Sequence, residues 1–154
     1  MTQILSADKM RDFGVKVGEL MTGGEVIELV GDVGTGKTTF VRGLAIGLAV
    51  DEQVQSPSFT INRLYDARDG LQLVHYDFYR LGDPGIMRSE LDEMLHDKNA
   101  VVVVEWADAV SEVLPQDRLT FRIVPDGEHS RTVTFAAGGP TSQMKLEEIH
   151  DSLA

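Results

Sequence analysis

The segment Gly31-Asp32-Val33-Gly34-Thr35-Gly36-Lys37-Thr38 fits the pattern G-x-x-x-x-G-K-[ST], and its flanks restrict what the chain can become. Before it runs the apolar stretch Val26-Ile27-Glu28-Leu29-Val30. After it, Phe40, Val41, Leu44 and Leu48 recur at helical spacing and predict a helix over Thr39 to Leu48. A strand, a glycine-rich curl and a helix in that order turn several backbone N–H groups inward at a positive helix end, which suits polyphosphate oxygens. On that geometry Lys37 brings a point charge to β- and γ-phosphates, and the Thr38 hydroxyl reaches Mg²⁺.

The remaining periodicities supply the sheet into which such a unit must pack. Ser6 is the expected N-cap of a helix reaching about Leu20, with Met10, Phe13, Val17, Leu20 and Met21 on one face and Thr22-Gly23-Gly24 as its end. Phe59 to Tyr65 and Leu71 to Tyr76 read as two strands of a hairpin, closed by Asp66-Ala67-Arg68-Asp69-Gly70. A helix is expected between Asp83 and Asp97. Ala100 to Val104 is a continuous apolar run, as in a strand buried on both faces, and belongs centrally. Arg118 to Val124 and Arg131 to Ala136 alternate around Pro125-Asp126-Gly127 and predict an antiparallel pair. Gly138-Gly139-Pro140 is read as a short linker before a charged terminal helix from about Ser142 to Leu153. The fold class expected is α/β: a three-layer sandwich like that of P-loop NTPases, parallel at the centre of the sheet and antiparallel at its margins. Ligands in such sheets sit beyond the carboxyl ends of the strands.

Two further segments leave strands at that end. Glu105 follows Val101-Val102-Val103-Val104 directly, where a carboxylate can bind Mg²⁺ or one of its waters; a solvated strand-end residue is the competing reading. In Leu73-Val74-His75-Tyr76-Asp77-Phe78-Tyr79-Arg80-Leu81, strand alternation puts His75, Asp77 and Tyr79 on one side and Tyr76 and Phe78 on the other. Asp77 either orients water and the Mg²⁺ shell or serves as a turn residue bonded to nearby backbone. His75 is read as structural before it is read as a proton carrier, and Trp106 as a core or interface aromatic before a base-stacking platform. Ser56, Ser58 and Thr60 stand where nucleotide switches carry a hydroxyl that senses γ-phosphate and Mg²⁺, or are ordinary loop polarity. Arg80 is either a phosphate partner or a partner of the acids around it.

Composition narrows the function classes. With 154 residues, 42% of them hydrophobic, the chain has room for one compact domain over 1–154, residues 137–154 forming its linker and terminal helix. It has no cysteine, which excludes disulfides and thiolate metal sites and fits a cytoplasmic setting. No basic-plus-apolar leader and no run of eighteen apolar residues suggests secretion or membrane spanning. The formal net charge is −11, and residues 51–110 hold twelve acids against five lysines and arginines. Such a surface repels a phosphate backbone, so direct nucleic-acid binding is not expected; the acid serves solubility or a basic protein partner.

The chain lacks both an Asn-Lys-x-Asp run and an Asp-x-x-Gly switch, which argues against a GTPase. A small-molecule kinase stays open, although Arg80 to Lys98 makes a poor phosphate lid, with two arginines and a lysine among five acids. A non-enzymatic nucleotide-sensing adaptor stays open too. Four ordered motifs, Gly31 to Thr39, Ser56-Pro57-Ser58-Phe59-Thr60, His75 to Leu81 and Val104-Glu105-Trp106, together resemble the bacterial TsaE (YjeE) family, the ATPase component of tRNA threonylcarbamoyladenosine synthesis. The resemblance runs to about residue 136. It implies ATP or ADP with Mg²⁺ as cofactors, slow hydrolysis, and action with the TsaB and TsaD proteins. Carried onto this sequence, it implies that Asp32, Val33, Gly34, Thr35, Gly36, Lys37, Thr38 and Thr39 bind nucleotide. Thr38 and Glu105 contact the metal, Asp77 acts with Lys37 and Glu105 in catalysis, Thr60 lies in a switch-like segment, and Ser6 and Arg131 match adenine contacts. Ser58 stands where the family commonly has threonine, a change that keeps the hydroxyl.

Overall fold

The computed structural model describes residues 2–32, 34–54, 62–79 and 85–153. Val33, Ser56, Ser58, Thr60 and Arg80, all singled out above, lie outside the described residues, as does the expected strand portion before Asn62. The described elements are β1 (Thr2–Ser6), α1 (Ala7–Leu20), β2 (Val26–Val30), α2 (Lys37–Gly47), β3 (Asn62–Asp66), β4 (Gln72–Asp77), α3 (Ile86–Leu95), β5 (Ala100–Glu105), β6 (Leu119–Pro125), β7 (Ser130–Ala137) and α4 (Pro140–Leu153). Single 3-10 turns occupy Arg68–Gly70 and Ala107–Val110.

The strands form one sheet in the order β1-β7-β6-β2-β5-β4-β3. Pairs β6/β2, β2/β5 and β5/β4 are parallel, whereas β1/β7, β7/β6 and β4/β3 are antiparallel, so the expected division between centre and margins is present. β5 lies between β2 and β4 with all six residues buried. Its valine run needs no alternation because both faces are covered. On one face α1, α2 and α4 cover Ile27, Leu29, Leu73, Val101, Val103, Phe121, Ile123, Val133 and Phe135. On the other, α3 and the turn after β5 cover Val74, Tyr76, Phe78, Val102 and Val104.

β1 was not anticipated. Residues 2–6 read only as a lead-in to the Ser6 cap, yet they pair antiparallel with β7, Thr2 opposite Thr134 and Ser6 opposite Ser130. Five residues at a sheet edge carry too short an alternation to announce a strand. Ser6 is also the expected cap, its Oγ accepting from Lys9 N–H at 3.3 Å. The terminal helix starts earlier than expected, at Pro140, a first-turn position suited to proline. Asp117 accepts the Thr141 and Ser142 N–H groups at 3.1 and 2.8 Å, and Ser142 foremost holds the Asp117 carboxyl below the usual carboxylate range.

α1 and α2 cross backbone to backbone. A Cβ at Gly43 would lie 2.1 Å from the Arg11 carbonyl oxygen, and one at Gly14 2.3 Å from that of Phe40. Glycine at this crossing lets Phe13 reach into a ring cluster with Phe40, Phe121 and Phe135, at centroid distances of 5.5, 5.6 and 5.3 Å. The exposed carbonyls at the end of α1 are met from elsewhere: Arg68 Nη2 donates to Gly18 O and Glu19 O at 2.9 Å each, and Lys145 Nζ to Leu20 O at 2.7 Å. These contacts fix α1, and through it α2, whose first turn carries the loop's lysine.

Candidate nucleotide site

Gly31 and Asp32 follow the carboxyl end of β2, and Gly34 to Gly36 lead into α2 at Lys37. Gly36 takes φ 108° as the residue capping α2, a left-handed conformation that side chains resist, and no side chain caps the helix. Phe40 N–H bonds back to Gly36 O at 3.0 Å, which leaves the preceding N–H groups of the first turn free of intrahelical partners. Within the curl, the Thr35 hydroxyl donates to Asp32 O at 2.8 Å. Arg131, across the edge strands, donates from Nε to Thr35 O at 3.0 Å and so ties the loop to β7. Ser6 stands opposite Ser130 in the β1/β7 register, one position along from the Leu5–Arg131 pair.

Lys37 is 6% exposed. Its Nζ donates to Gly31 O at 2.6 Å, lies 3.6 Å from Glu105 Oε1, and sits 4.2 Å from the centre of the Trp106 ring. Glu105 closes β5, also buried, and its Oε2 lies 2.5 Å from Nε2 of the wholly buried His75. Parallel pairing of β4 with β5 sets Asp77 beside Glu105 in register. Asp77 is buried, accepts Tyr79 N–H through Oδ1 at 2.9 Å, and has its carboxyl raised above the ordinary value, first by burial and then by the charge of Glu105. The backbone contact is the turn role weighed above, and the register places the same carboxyl at the crevice. Tyr79 follows in a turn, its ring 4.8 Å from that of Trp106.

Trp106 shows what sequence reasoning missed. Its backbone sits at φ 55°, ψ 52°, a region costly for a bulky residue, and its ring, partly buried against the core as expected, also caps the Lys37 ammonium. No periodicity announces a left-handed tryptophan; the signal available was its place directly after the strand-end carboxylate.

The residues present fit a magnesium nucleotide. Space is open where a Cβ at Gly34 would stand, unpaired helix N–H groups face the loop, and a buried ammonium lies between the loop and a buried carboxylate. Among the described residues no group of three or more His, Cys, Asp or Glu gathers to cage a metal. Magnesium does not require such a cage, since it is held by one or two carboxylates together with substrate phosphates.

With that geometry in view, comparison with known proteins is decisive: the model of the family "Threonylcarbamoyl adenosine biosynthesis protein TsaE" matches residues 4–133. The chain belongs to the TsaE family. The tRNA threonylcarbamoyladenosine biosynthesis protein TsaE of Bacillus subtilis is 44% identical over 137 residues, covering 85% of this chain and 82% of the relative. Its counterpart in Streptomyces coelicolor is 41% identical over 115 residues, covering 74% and 78%. That of Treponema pallidum is 37% identical over 131 residues, covering 83% and 95%. Among solved structures, the crystal structure of YdiB from Bacillus subtilis aligns with a TM-score of 0.80 at 34% identity, over 100% of this chain and 96% of that one. The P-loop NTPase-like sandwich expected from the sequence is thus the fold this chain shares with YdiB. Membership makes the chain a nucleotide-binding, ATPase-like protein. No helix among the described residues is long and apolar enough to cross a membrane.

Proposed function

We propose that this chain is a Mg²⁺-dependent ATPase that serves the formation of threonylcarbamoyladenosine on tRNA in the cytoplasm, acting on the TsaB and TsaD proteins and not on RNA directly. The observation that carries the reading is the Lys37 ammonium, held at the head of α2 between the Gly31 carbonyl and the Glu105 carboxylate. In this reading, backbone N–H groups from Asp32 to Thr39 and the Lys37 charge bind the phosphates. Thr38 and Glu105 hold Mg²⁺, which when bound offsets charge on the β- and γ-phosphate oxygens. Asp77, beside Glu105 in register, accepts a hydrogen bond from the attacking water and orients it. Ser6 and Arg131 contact the adenine side. The chain works as one unit over its length, a view supported by Leu146 and Ile149 of α4 in the core shared with α1 and α2.

Lys37→Ala deletes a charge-assisted contact worth about 1.5–3 kcal/mol and is expected to weaken ATP binding roughly ten- to a hundredfold. Calorimetric titration checks this, and wild-type affinity in the variant would remove the assignment. The cellular role is read by threonylcarbamoyl transfer to tRNA by TsaB and TsaD over repeated cycles. Product formation is expected to depend on this chain and ATP together.

A further inference from the structure

One buried polar side chain has no task in the mechanism above. His75 sits on β4, on the sheet face covered by α1 and α2, with 0% exposure. On that face Leu73 and Val103 lie beside it, Asp77 follows two residues along β4 and Arg63 stands opposite on β3, and the ring's full burial takes both its nitrogens from water. Nε2 meets Glu105 Oε2 at 2.5 Å, whereas Nδ1 has no hydrogen-bond partner among the described residues. That asymmetry selects a tautomer. With the proton on Nε2, the ring donates to the carboxylate and leaves only a lone pair at Nδ1. With the proton on Nδ1, a lone pair would face a carboxylate oxygen and an N–H would be buried unmet, the costlier defect.

The consequence falls on Glu105. A free glutamate side chain must give up rotamer entropy to present one oxygen in one place. Here Oε2 is pinned by a rigid ring rooted on the adjacent parallel strand, and Oε1 faces the Lys37 ammonium at 3.6 Å. Resting on the reading of Glu105 as a metal-side carboxylate, we propose that His75 is a positioning residue: its Nε2–H fixes Glu105 Oε2 so that Oε1 is the oxygen offered to magnesium. Hydrogen-bonded partners of metal-ligating groups typically matter by ten- to a hundredfold in metal affinity.

The test compares His75→Leu, which removes the donor, with His75→Gln, whose amide N–H can replace it, in the full chain. ADP binding is titrated with excess EDTA and then across a MgCl₂ series. The expected result is a rise of about tenfold or more in the Mg²⁺ concentration that half-saturates the gain in ADP affinity for His75→Leu, and a rise of less than about threefold for His75→Gln. Wild-type Mg²⁺ dependence in His75→Leu would overturn the proposal, as would equal impairment of the two variants with both folded by circular dichroism. Nitrogen-15 spectra of the wild-type imidazole give a readout that does not depend on any variant folding, with a protonated Nε2 and a bare Nδ1 expected; a proton on Nδ1 with Nε2 bare refutes the pinning. Glu105→Gln separates the levels. If it keeps the full Mg²⁺ response, the role of Glu105 itself fails, whereas its loss beside an unaltered His75→Leu response refutes His75 alone.

Discussion

Removing the Lys37 charge while leaving Glu105 in place tests the centre of the site by stability alone. At 3.6 Å and an effective dielectric of 20, the gross attraction of the pair is about 5 kcal/mol, much of it offset by desolvation of two side chains that are each 6% exposed. Stripping one partner from a buried pair leaves an uncompensated charge and costs about 3–5 kcal/mol; His75 still donates to Glu105, so Lys37→Met is expected near 3 kcal/mol. Glu105→Gln leaves Lys37 with the Gly31 carbonyl and the Trp106 face, and is expected to cost about 1–2 kcal/mol. If the two losses were independent, the double variant would fall by their sum. Because the second substitution removes the charge stranded by the first, the double variant should be only about as unstable as Lys37→Met, a coupling of about 1–2 kcal/mol. Urea unfolding followed by circular dichroism measures the four proteins without nucleotide. Additivity to within about 0.5 kcal/mol would show that the two charges do not share the contact on which the site rests.

Further expectations follow from other contacts. Gly43→Ala places a methyl 2.1 Å from Arg11 O, and overpacking of about 1–3 kcal/mol outweighs a gain in helix propensity below about 1 kcal/mol; a melting temperature lower by roughly 2–8 °C is expected, and an unchanged or higher one would contradict the close crossing. Asp77→Asn keeps an acceptor for Tyr79 N–H but removes a carboxylate whose folded pKa is raised, chiefly by burial. A raised carboxyl means that ionisation opposes folding: the penalty is absent below the unfolded value, grows as pH rises, and is complete above the folded value. The variant should therefore melt higher than wild type at pH 7, with the difference vanishing below about pH 4, while its ATP turnover falls; a lower melting temperature at pH 7 would count against the burial argument. Trp106 is the sole tryptophan and lies over Lys37, so its emission should change on ADP titration, and a flat response would place the nucleotide elsewhere.

The parts of this molecule that the sequence announced are those in which one physical requirement dominates. A doubly covered strand must be apolar throughout, and Ala100–Glu105 is read from that fact alone. A loop that presents N–H groups needs glycine at positive φ, and Gly34 and Gly36 supply it. What escaped depends on partners distant in sequence. β1 is a strand because β7 offers it an edge, not because residues 2–6 demand one. Arg68 looked like part of a polar turn, and only the fold brings its guanidinium to the carbonyls closing α1, 50 residues away at Gly18. His75 looked like an isolated ring, and its meaning lies in the register that sets β4 beside β5.

The strand ends at this site also keep the loop lysine occupied. Lys37 is buried, so its ammonium must be satisfied by protein, and Gly31 O, Glu105 and the Trp106 face do so. On the proposed function, a phosphate entering the loop would exchange with these contacts, and the affinity of the site would be a difference, below any sum of new bonds. Such an exchange would reach Trp106 directly, since the strained residue follows Glu105 in the chain and leans on both Lys37 and Tyr79. A left-handed tryptophan costs about 1–3 kcal/mol and persists only where its surroundings over-determine it. Here one of those surroundings is the ammonium that a nucleotide would claim, so the strain is held in part by a contact that binding alters.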